Sequence, residues 1–450
     1  MRQKCWFWMQ DVRAAATWGL FVAFAGTTWT NVATIWGYAV VAFASTAYLI
    51  AVAARRGVRG RLGAVPWALL AYIGLAVVSL FWSAYRVGTA VTLLGMLLCT
   101  TLGVIVALCL SWDEIFAAVR RSAFAVIMLS LVFELVVALF IRQPVLPFFT
   151  AFGTAKPPVL AYWSRGLLFD GGRIQGIVGN ANLLAFVAAV ALILFLVRLV
   201  AARRKVVPLA GVIVTLTTLW VTFSTTVLLG LLAAAVVVAA VVSARMIRPR
   251  GLRYGFAVVV VGVATVVALG ALRWSEEVLA VLGKSSDLTG RTEIWGVVWQ
   301  LVQESPVVGW GFASPWAGWE PVFSDLAVRN GVRQLQAHNA WLDVWLQLGV
   351  FGLIVFVALI GGTLYRAIRL LPHAYDRSGV GAIVVAAVPL TLTVFLISQT
   401  ITESRILFES GWVLLTMLAT KTALDQPARK PIKGARRPAS GAPASHQQAA

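Results

Sequence analysis

The chain has 450 residues, of which 60% are hydrophobic and only 12% are charged. Soluble domains carry about 25% charged residues, so this composition excludes an ordinary soluble protein and predicts a membrane protein with many spans. The net charge of +20 therefore points to membrane topology and anionic lipid headgroups before it points to nucleic acid. Cys5, Cys99 and Cys109 show neither a disulfide pattern nor a metal-ligand spacing.

Apolar runs of membrane-spanning length recur along the whole chain. A span needs about 20 mostly apolar residues, and the runs predict about 12 spans, so the expected fold is an all-α polytopic membrane protein. The first span is the weakest, and the basic segment before it is compatible with a cleaved signal peptide; a signal anchor is favoured because no clean cleavage site follows and many spans do. The expected spans are 14–30, 32–53, 65–83, 88–110, 122–141, 181–201, 206–222, 225–243, 254–272, 342–364, 380–399 and 405–420.

Lysine and arginine divide unevenly between alternate loops. Most of the 37 lie in segments that share a side with both termini, and the positive-inside rule places that side in the cytoplasm. We therefore expect a cytoplasmic N-terminus at 1–13, a transmembrane domain at 14–421 and a disordered, basic cytoplasmic tail at 422–450. Two long extracytoplasmic loops are expected at 142–180 and 273–341, in a protein of the cytoplasmic membrane.

The first long outer loop ends in a glycine-rich turn that leads into the sixth span. Arg173 and Asn180 lie in this turn, and a guanidinium with several backbone N–H donors suits a diphosphate. The alternative is an ordinary capped junction between a loop and a helix. Glu134 lies deep in the fifth span, where an acid is either functional or hydrogen-bonded to a neighbouring helix.

The second long outer loop is rich in tryptophan, which is not typical of a disordered linker. The segment after Thr289 has an apolar stripe that includes Ile294 and Val298, so we expect an amphipathic helix on the outer leaflet or on the core of the loop. Arg291 would lie in its first turn, where a guanidinium and free N–H groups form an anion site. The alternative is a contact with lipid headgroups or with Glu293.

Two features follow that helix. Ser305 to Phe312 contains one proline and two glycines, which predicts a tight turn. Trp316 and Trp319 are candidates for stacking on a sugar or for anchoring at the membrane interface, and the second interpretation is the better default.

His338 ends the second outer loop and directly precedes a span. The positive end of the following helix disfavours an imidazolium, so we expect a neutral ring that accepts a proton from an attacking hydroxyl. The alternative is an interfacial histidine with a satisfied hydrogen bond. Asn339 is a possible supporting residue, as are Glu403 and Arg405 in the last outer turn, where a plain salt bridge is the alternative.

Four motifs then occur in order on the expected outer side. They are Arg173-Ile-Gln-Gly-x-x-Gly-Asn-Ala-Asn, Gly290-Arg291-Thr-Glu-Ile-Trp, Pro306-x-x-Gly-Trp-Gly, and His338-Asn339-x-x-Leu342 followed by Leu348-Gly349. Together they resemble the O-antigen ligase and polymerase superfamily over residues 170–355. No single motif is specific for the superfamily, whereas the order, spacing and outer location of the four motifs together are fairly specific for it.

The resemblance implies an inverting glycosyltransferase that moves a glycan from undecaprenyl diphosphate to an acceptor hydroxyl at the outer face of the membrane. It assigns donor diphosphate binding to Arg173 and Arg291, and the role of base to His338. It implies neither a metal nor a cofactor. The implied partners are the lipid-linked glycan donor, membrane lipids, and a glycan, glycolipid or wall-polymer acceptor, in lipopolysaccharide or exopolysaccharide biosynthesis, with no nucleic acid.

Two alternatives and one departure accompany the resemblance. A polymerase of a surface polysaccharide uses the same donor, and a transporter or flippase of lipid-linked sugars is a third possibility. A transporter is expected to place polar residues inside its spans, and the spans here carry few charges. Many family members have Ser-Arg in the turn between spans seven and eight, where this chain has Ser224-Thr225.

Overall fold

The computed structural model is almost entirely helical. It describes residues 2–55, 58–150, 156–246, 289–329, 331–375 and 380–426, with a few more between 251 and 259. The predicted ninth span at 254–272, the start of the second outer loop and the predicted disordered tail lie largely outside the described residues. The helices that structure this part of the chain are α1 (Arg2–Phe24), α2 (Gly26–Ala54), α3 (Trp67–Val78), α4 (Arg86–Cys109), α5 (Trp112–Val136), α6 (Ala181–Ala201), α7 (Val206–Thr222), α8 (Thr225–Met246), α9 (Thr289–Glu304), α10 (Pro321–Ser324), α11 (Ala340–Tyr375), α12 (Val380–Gln399) and α13 (Glu409–Leu424).

Six of the described helices are long and apolar enough to cross a membrane. They agree with an all-α membrane protein, while the expected count of about 12 spans remains a prediction. Three shorter apolar helices accompany them, at Trp67–Phe81, Val206–Thr222 and Thr225–Ala240. The six lie at Gly26–Ala54, Arg86–Cys109, Trp112–Ile141, Ala181–Ala201, Ala340–Leu371 and Ala382–Gln399.

Helix boundaries follow local signals where the sequence provides them. Asn180 caps α6 because its side-chain oxygen accepts the N–H groups of Asn182 and Leu183. Ser111 and Glu114 form a capping box at the start of α5. The first predicted span is misplaced, because α1 already begins at Arg2 and the break before α2 falls at Ala25, inside 14–30.

Helix α6 lies at the centre of the bundle. Its residues from Leu183 to Leu194 are almost all buried, and it packs against α5, α7 and α12. Helix α4 packs along α13, and α11 packs along α12. The first turn of α6 is thereby held at one end of the bundle, beside the end of α7 and the start of α8.

The described part of the second outer loop folds into a small unit with its own core. Helix α9 buries Ile294, Val298 and Val302 against Trp316 and Phe323, so its apolar stripe packs on the loop and not on lipid. Trp316 stacks on Phe323 and is buried, whereas Trp319 is exposed. A short hairpin of β1 (Val328–Arg329) and β2 (Val332–Arg333) then leads to His338.

The turn at 306–311 docks onto a kink in α11. Gly349 has φ +63° and interrupts the helix, so the carbonyl groups of Leu346 and Gln347 are free to accept the N–H groups of Trp310 and Gly311 at 2.8 and 2.9 Å. A Cβ on Gly349 would lie 2.1 Å from the carbonyl oxygen of Val307. The third and fourth sequence motifs therefore contact each other. This contact fixes the folded loop on α11, the helix that follows His338.

A candidate active site at one end of the bundle

Arg291 lies in the first turn of α9, as the sequence predicted. Its side chain is buried, and its Nη2 donates to Oε1 of Glu403 at 2.9 Å. The apolar stripe of α9 fixes the helix on the loop core, so the guanidinium is held in place by packing as well as by its ion pair. The two alternatives for Arg291 therefore do not fit its described contacts. The guanidinium pairs with Glu403 and not with Glu293, and its burial does not suit a contact with lipid headgroups.

His338 lies between the hairpin and α11 in a strained backbone conformation, with φ +52°. Such a conformation costs about 1–3 kcal/mol for a residue other than glycine and persists only where neighbours hold it. The N–H of Ala337 donates to Asp343 Oδ2 at 3.0 Å, and Trp295 Nε1 donates to the carbonyl of Ala337 at 2.9 Å. Asn339 caps α11 by accepting the N–H groups of Trp341 and Leu342.

The imidazole ring of His338 has an oxygen beside each nitrogen. Nδ1 lies 3.0 Å from Glu403 Oε2, and Nε2 lies 3.2 Å from Gln334 Oε1. Because an amide oxygen accepts, Nε2 faces Gln334 as an N–H donor; a free lone pair on Nε2, with the ring proton on Nδ1 and donated to the carboxylate, requires the Gln334 oxygen to move away. The His338 side chain is largely buried, with 15% of its surface exposed.

Arg173 joins the same cluster from the first outer loop. Its Nε donates to the carbonyl of Thr222 at 2.9 Å, and its Nη2 donates to Asn182 Oδ1 at 2.6 Å. Asn182 Nδ2 in turn donates to Glu403 Oε1 at 3.1 Å. Ser224 Oγ also donates to Asn182 Oδ1, at 3.0 Å, so the serine of the altered Ser-Arg turn lies in the cluster.

Glu403 connects all three predicted site residues. Its Oε1 receives Arg291 and Asn182, while its Oε2 contacts His338 and accepts from Gln336 Nε2 at 3.4 Å. Burial alone raises the pKa of this carboxyl, but the charge and hydrogen bond of His338 and then the charges of Arg291 and Arg405 lower the pKa to about 2. Glu403 is therefore a carboxylate throughout the neutral range.

The other supporting candidates have structural partners outside this cluster. Glu134 is buried and accepts the N–H groups of Gln175 and Gly176 at 2.9 and 2.7 Å, so it shapes the glycine-rich turn that presents Arg173. The alternative of a plain salt bridge between Glu403 and Arg405 does not describe their contacts, because Arg405 pairs with Glu409 at 2.7 Å and Glu403 pairs with Arg291. Asn180 is the cap of α6.

Four helices begin at this cluster. Asn182 and Arg291 lie in the first turns of α6 and α9, Ser224 directly precedes α8, and His338 lies two residues before α11. The N-terminal end of a helix carries a partial positive charge and free N–H groups. With two arginines present, the site is suited to an anion, and the imidazole of His338 lies beside it.

The sequence did not indicate every residue of the cluster. Gln334 and Gln336 carry no signal besides their nearness to His338, and Asn182 stands only as the last letter of the first motif. Glu403 appears in the sequence as a weak candidate, because its partners lie 65 and 112 positions away.

Comparison with known families finds a match for one segment of the chain. Residues 210–357 match the family model described as O-antigen ligase. The match covers less than half of the chain and supports a relation to the O-antigen ligase superfamily. Members of the O-antigen ligase family are glycosyltransferase-like enzymes, either ligases or polymerases, and the apolar helices indicate a multi-pass membrane protein. The matched segment contains Arg291 and His338, whereas Arg173 and Glu403 lie outside it. No curated protein matches the chain.

Proposed function

We propose that this O-antigen ligase-like protein is an inverting glycosyltransferase that moves a glycan from undecaprenyl diphosphate to an acceptor hydroxyl at the outer face of the cytoplasmic membrane. One observation carries the proposal. Arg291 and His338 contact the carboxylate of Glu403 directly, and Arg173, from a third distant part of the chain, is linked to it through Asn182. An anion site beside a base is the arrangement that transfer from a diphosphate requires.

The arginines act on the leaving group. Arg173 and Arg291 bind the diphosphate and stabilise the charge that grows on it as the bond between the anomeric carbon and the phosphate oxygen breaks. The four helix N-termini add to this stabilisation. The lipid anchor of the donor restricts its orientation, which lowers the entropic cost of the reaction.

His338 acts on the acceptor. With the Nδ1 proton donated to Glu403, Nε2 takes the proton of the acceptor hydroxyl as its oxygen attacks the anomeric carbon from the face opposite the diphosphate. The bond from oxygen to carbon forms, undecaprenyl diphosphate leaves, and the anomeric configuration inverts. Gln334 covers Nε2 in the donor-free protein, so its side chain gives way to the acceptor.

Replacement of the base tests this role in cells. We expect His338→Ala to lower transfer by about 10²–10⁴-fold, because a positioned acid or base contributes that much. Undecaprenyl-linked glycan then accumulates in the membrane while surface glycan is lost. His373→Ala is the matched control and should leave both unchanged. Unchanged surface glycan in a well-expressed His338→Ala strain would reject the assignment.

The choice between ligase and polymerase concerns the acceptor alone, because both use the same donor chemistry. A ligase joins one glycan to each acceptor, whereas a polymerase produces a ladder of lengths. The size distribution of the product from the wild-type chain therefore separates the two proposals.

A further inference from the structure

The two oxygens of the Glu403 carboxylate face two different parts of the site. Oε1 faces the cationic side, where Arg291 Nη2 lies at 2.9 Å and Asn182 Nδ2 at 3.1 Å. Oε2 faces the base, where His338 Nδ1 lies at 3.0 Å. All three charged or titratable partners are largely buried, so one carboxylate serves an arginine and a histidine at the same time.

A diphosphate on Arg291 is incompatible with this donor-free arrangement. A phosphate that binds the forked Nη1–Nη2 edge of the guanidinium takes the Nη2 group that donates to Oε1 of Glu403. A phosphate oxygen and Oε1 of Glu403 on the same N–H groups would also repel each other, strongly so in a site of low dielectric constant. One of the two anions has to leave Arg291.

The backbone around Glu403 is fixed by contacts that do not involve the arginine. Ser404 Oγ donates to Asp343 Oδ2, which also accepts the N–H of Ala337, the residue before His338. Ser404 N–H donates to Gln336 Oε1 at 3.2 Å. Asp343 thus ties the residue after Glu403 to the residue before His338, so the carboxylate can turn away from Arg291 while it stays beside the base.

We propose that Glu403 is a positioning residue whose carboxylate occupies Arg291 until the donor diphosphate binds. When the diphosphate binds Arg291, the carboxylate gives up that contact and keeps its contact with His338. This inference rests on the function proposed above. Once released from Arg291, the carboxylate no longer has a cationic partner that competes with the Nδ1 proton, which strengthens that hydrogen bond and makes Nε2 a better base. Donor binding therefore precedes and activates the removal of the acceptor proton.

Replacement of the carboxylate by an amide gives an unusual combination of effects. In Glu403→Gln, the side chain keeps its size but loses the charge that competes for Arg291. We expect farnesyl diphosphate, titrated calorimetrically into the full chain in detergent micelles, to bind about 3- to 10-fold more tightly, which corresponds to up to about 1.4 kcal/mol. Transfer at saturating donor should fall by about 100-fold or more, because the ring loses the acceptor that fixes its tautomer.

Glu409→Gln is the matched control. Glu409 is also a buried acid paired with an arginine, Arg405, in the adjacent segment of the chain, and neither Arg291 nor His338 is among its described partners. We expect its affinity for farnesyl diphosphate to stay near that of the wild type. If Glu403 only stabilised the fold, Glu403→Gln would lower both the affinity for farnesyl diphosphate and the transfer rate.

The outcomes distinguish this inference from the function on which it rests. Unchanged or weaker binding of farnesyl diphosphate by a folded Glu403→Gln protein overturns the placeholder role and leaves the roles of Arg291 and His338 intact. If Arg291→Ala binds farnesyl diphosphate as tightly as the wild type does, the proposed donor site itself is wrong. A second measurement needs no Glu403 variant: the ¹⁵N NMR signal of His338 Nδ1, assigned with His338→Ala, should shift downfield when farnesyl diphosphate is added to the wild type. An unchanged signal contradicts the inference.

Discussion

At the scale of single residues, the site depends on the fork of the guanidinium. Arg291 is buried and contacts Glu403 through Nη2, and Arg173 uses Nε and Nη2 for two different acceptors. Lysine keeps the charge but offers one compact donor group in place of a planar fork. Both arginines are therefore expected to resist conservative replacement.

The corresponding prediction concerns the donor. We expect Arg291→Lys and Arg173→Lys each to raise the KM for the lipid-linked donor by about tenfold, which corresponds to about 1.4 kcal/mol. The control is Arg333→Lys, in the exposed part of the hairpin. Steady-state kinetics with purified protein provide the measurement, and a donor KM that does not change in either site variant would speak for a structural role of that arginine.

The sequence predicted Arg173, Arg291 and His338 as the principal site residues and Glu403 only as a possible supporting residue. Arg173, Arg291 and His338 lie in motifs or at helix starts that suit an anion or a base. Glu403 lies after a span in a turn without a pattern, and its role depends on contacts across 65 and 112 positions. Local sequence carries no information about such contacts, since they arise only when α9, α11 and α12 pack together.

At the scale of elements, apolar runs and caps predicted some helices to the residue and missed others. The bounds of α6, α7 and α12 agree with the predicted spans 181–201, 206–222 and 380–399. Helix α5 begins at Trp112 and not at 122, because Arg120 and Arg121 continue a helix that Ser111 caps. A basic pair resembles a loop in sequence, yet long side chains at the membrane surface remain compatible with a helix.

The kink at Gly349 provides a prediction at this scale. Gly349→Ala places a Cβ 2.1 Å from the carbonyl oxygen of Val307 at a positive φ, so we expect it to destabilise the docked turn by about 1–3 kcal/mol or more. Tm in detergent and the transfer rate should both fall, because the turn fixes the folded loop that presents Arg291. Gly361→Ala is the control, since a Cβ at that position in the same helix meets nothing within 4 Å. Equal behaviour of the two variants would contradict the docking role.

At the scale of the whole molecule, the distribution of charge predicts which side carries the site. The helix ends that meet at Glu403 lie at one end of the bundle, while the basic loop 202–205 between α6 and α7 lies at the other end. The positive-inside rule places that basic loop in the cytoplasm, and the site therefore outside.

Cysteine labelling tests this orientation. In a chain whose three native cysteines are replaced, we expect Trp319→Cys to react with a membrane-impermeant maleimide in intact cells. Arg203→Cys should react only after permeabilisation. Both positions are exposed, so access alone decides the result, and the reverse pattern would place the site in the cytoplasm.

The most direct test of the account is transfer by the purified chain in proteoliposomes from an undecaprenyl diphosphate-linked glycan. The wild type is expected to release undecaprenyl diphosphate and to form a product of inverted anomeric configuration. His338→Ala is expected to bind the donor with unchanged affinity and to form product at least about 100-fold more slowly. Transfer by His338→Ala at the wild-type rate, or a product with retained configuration, would contradict the mechanism.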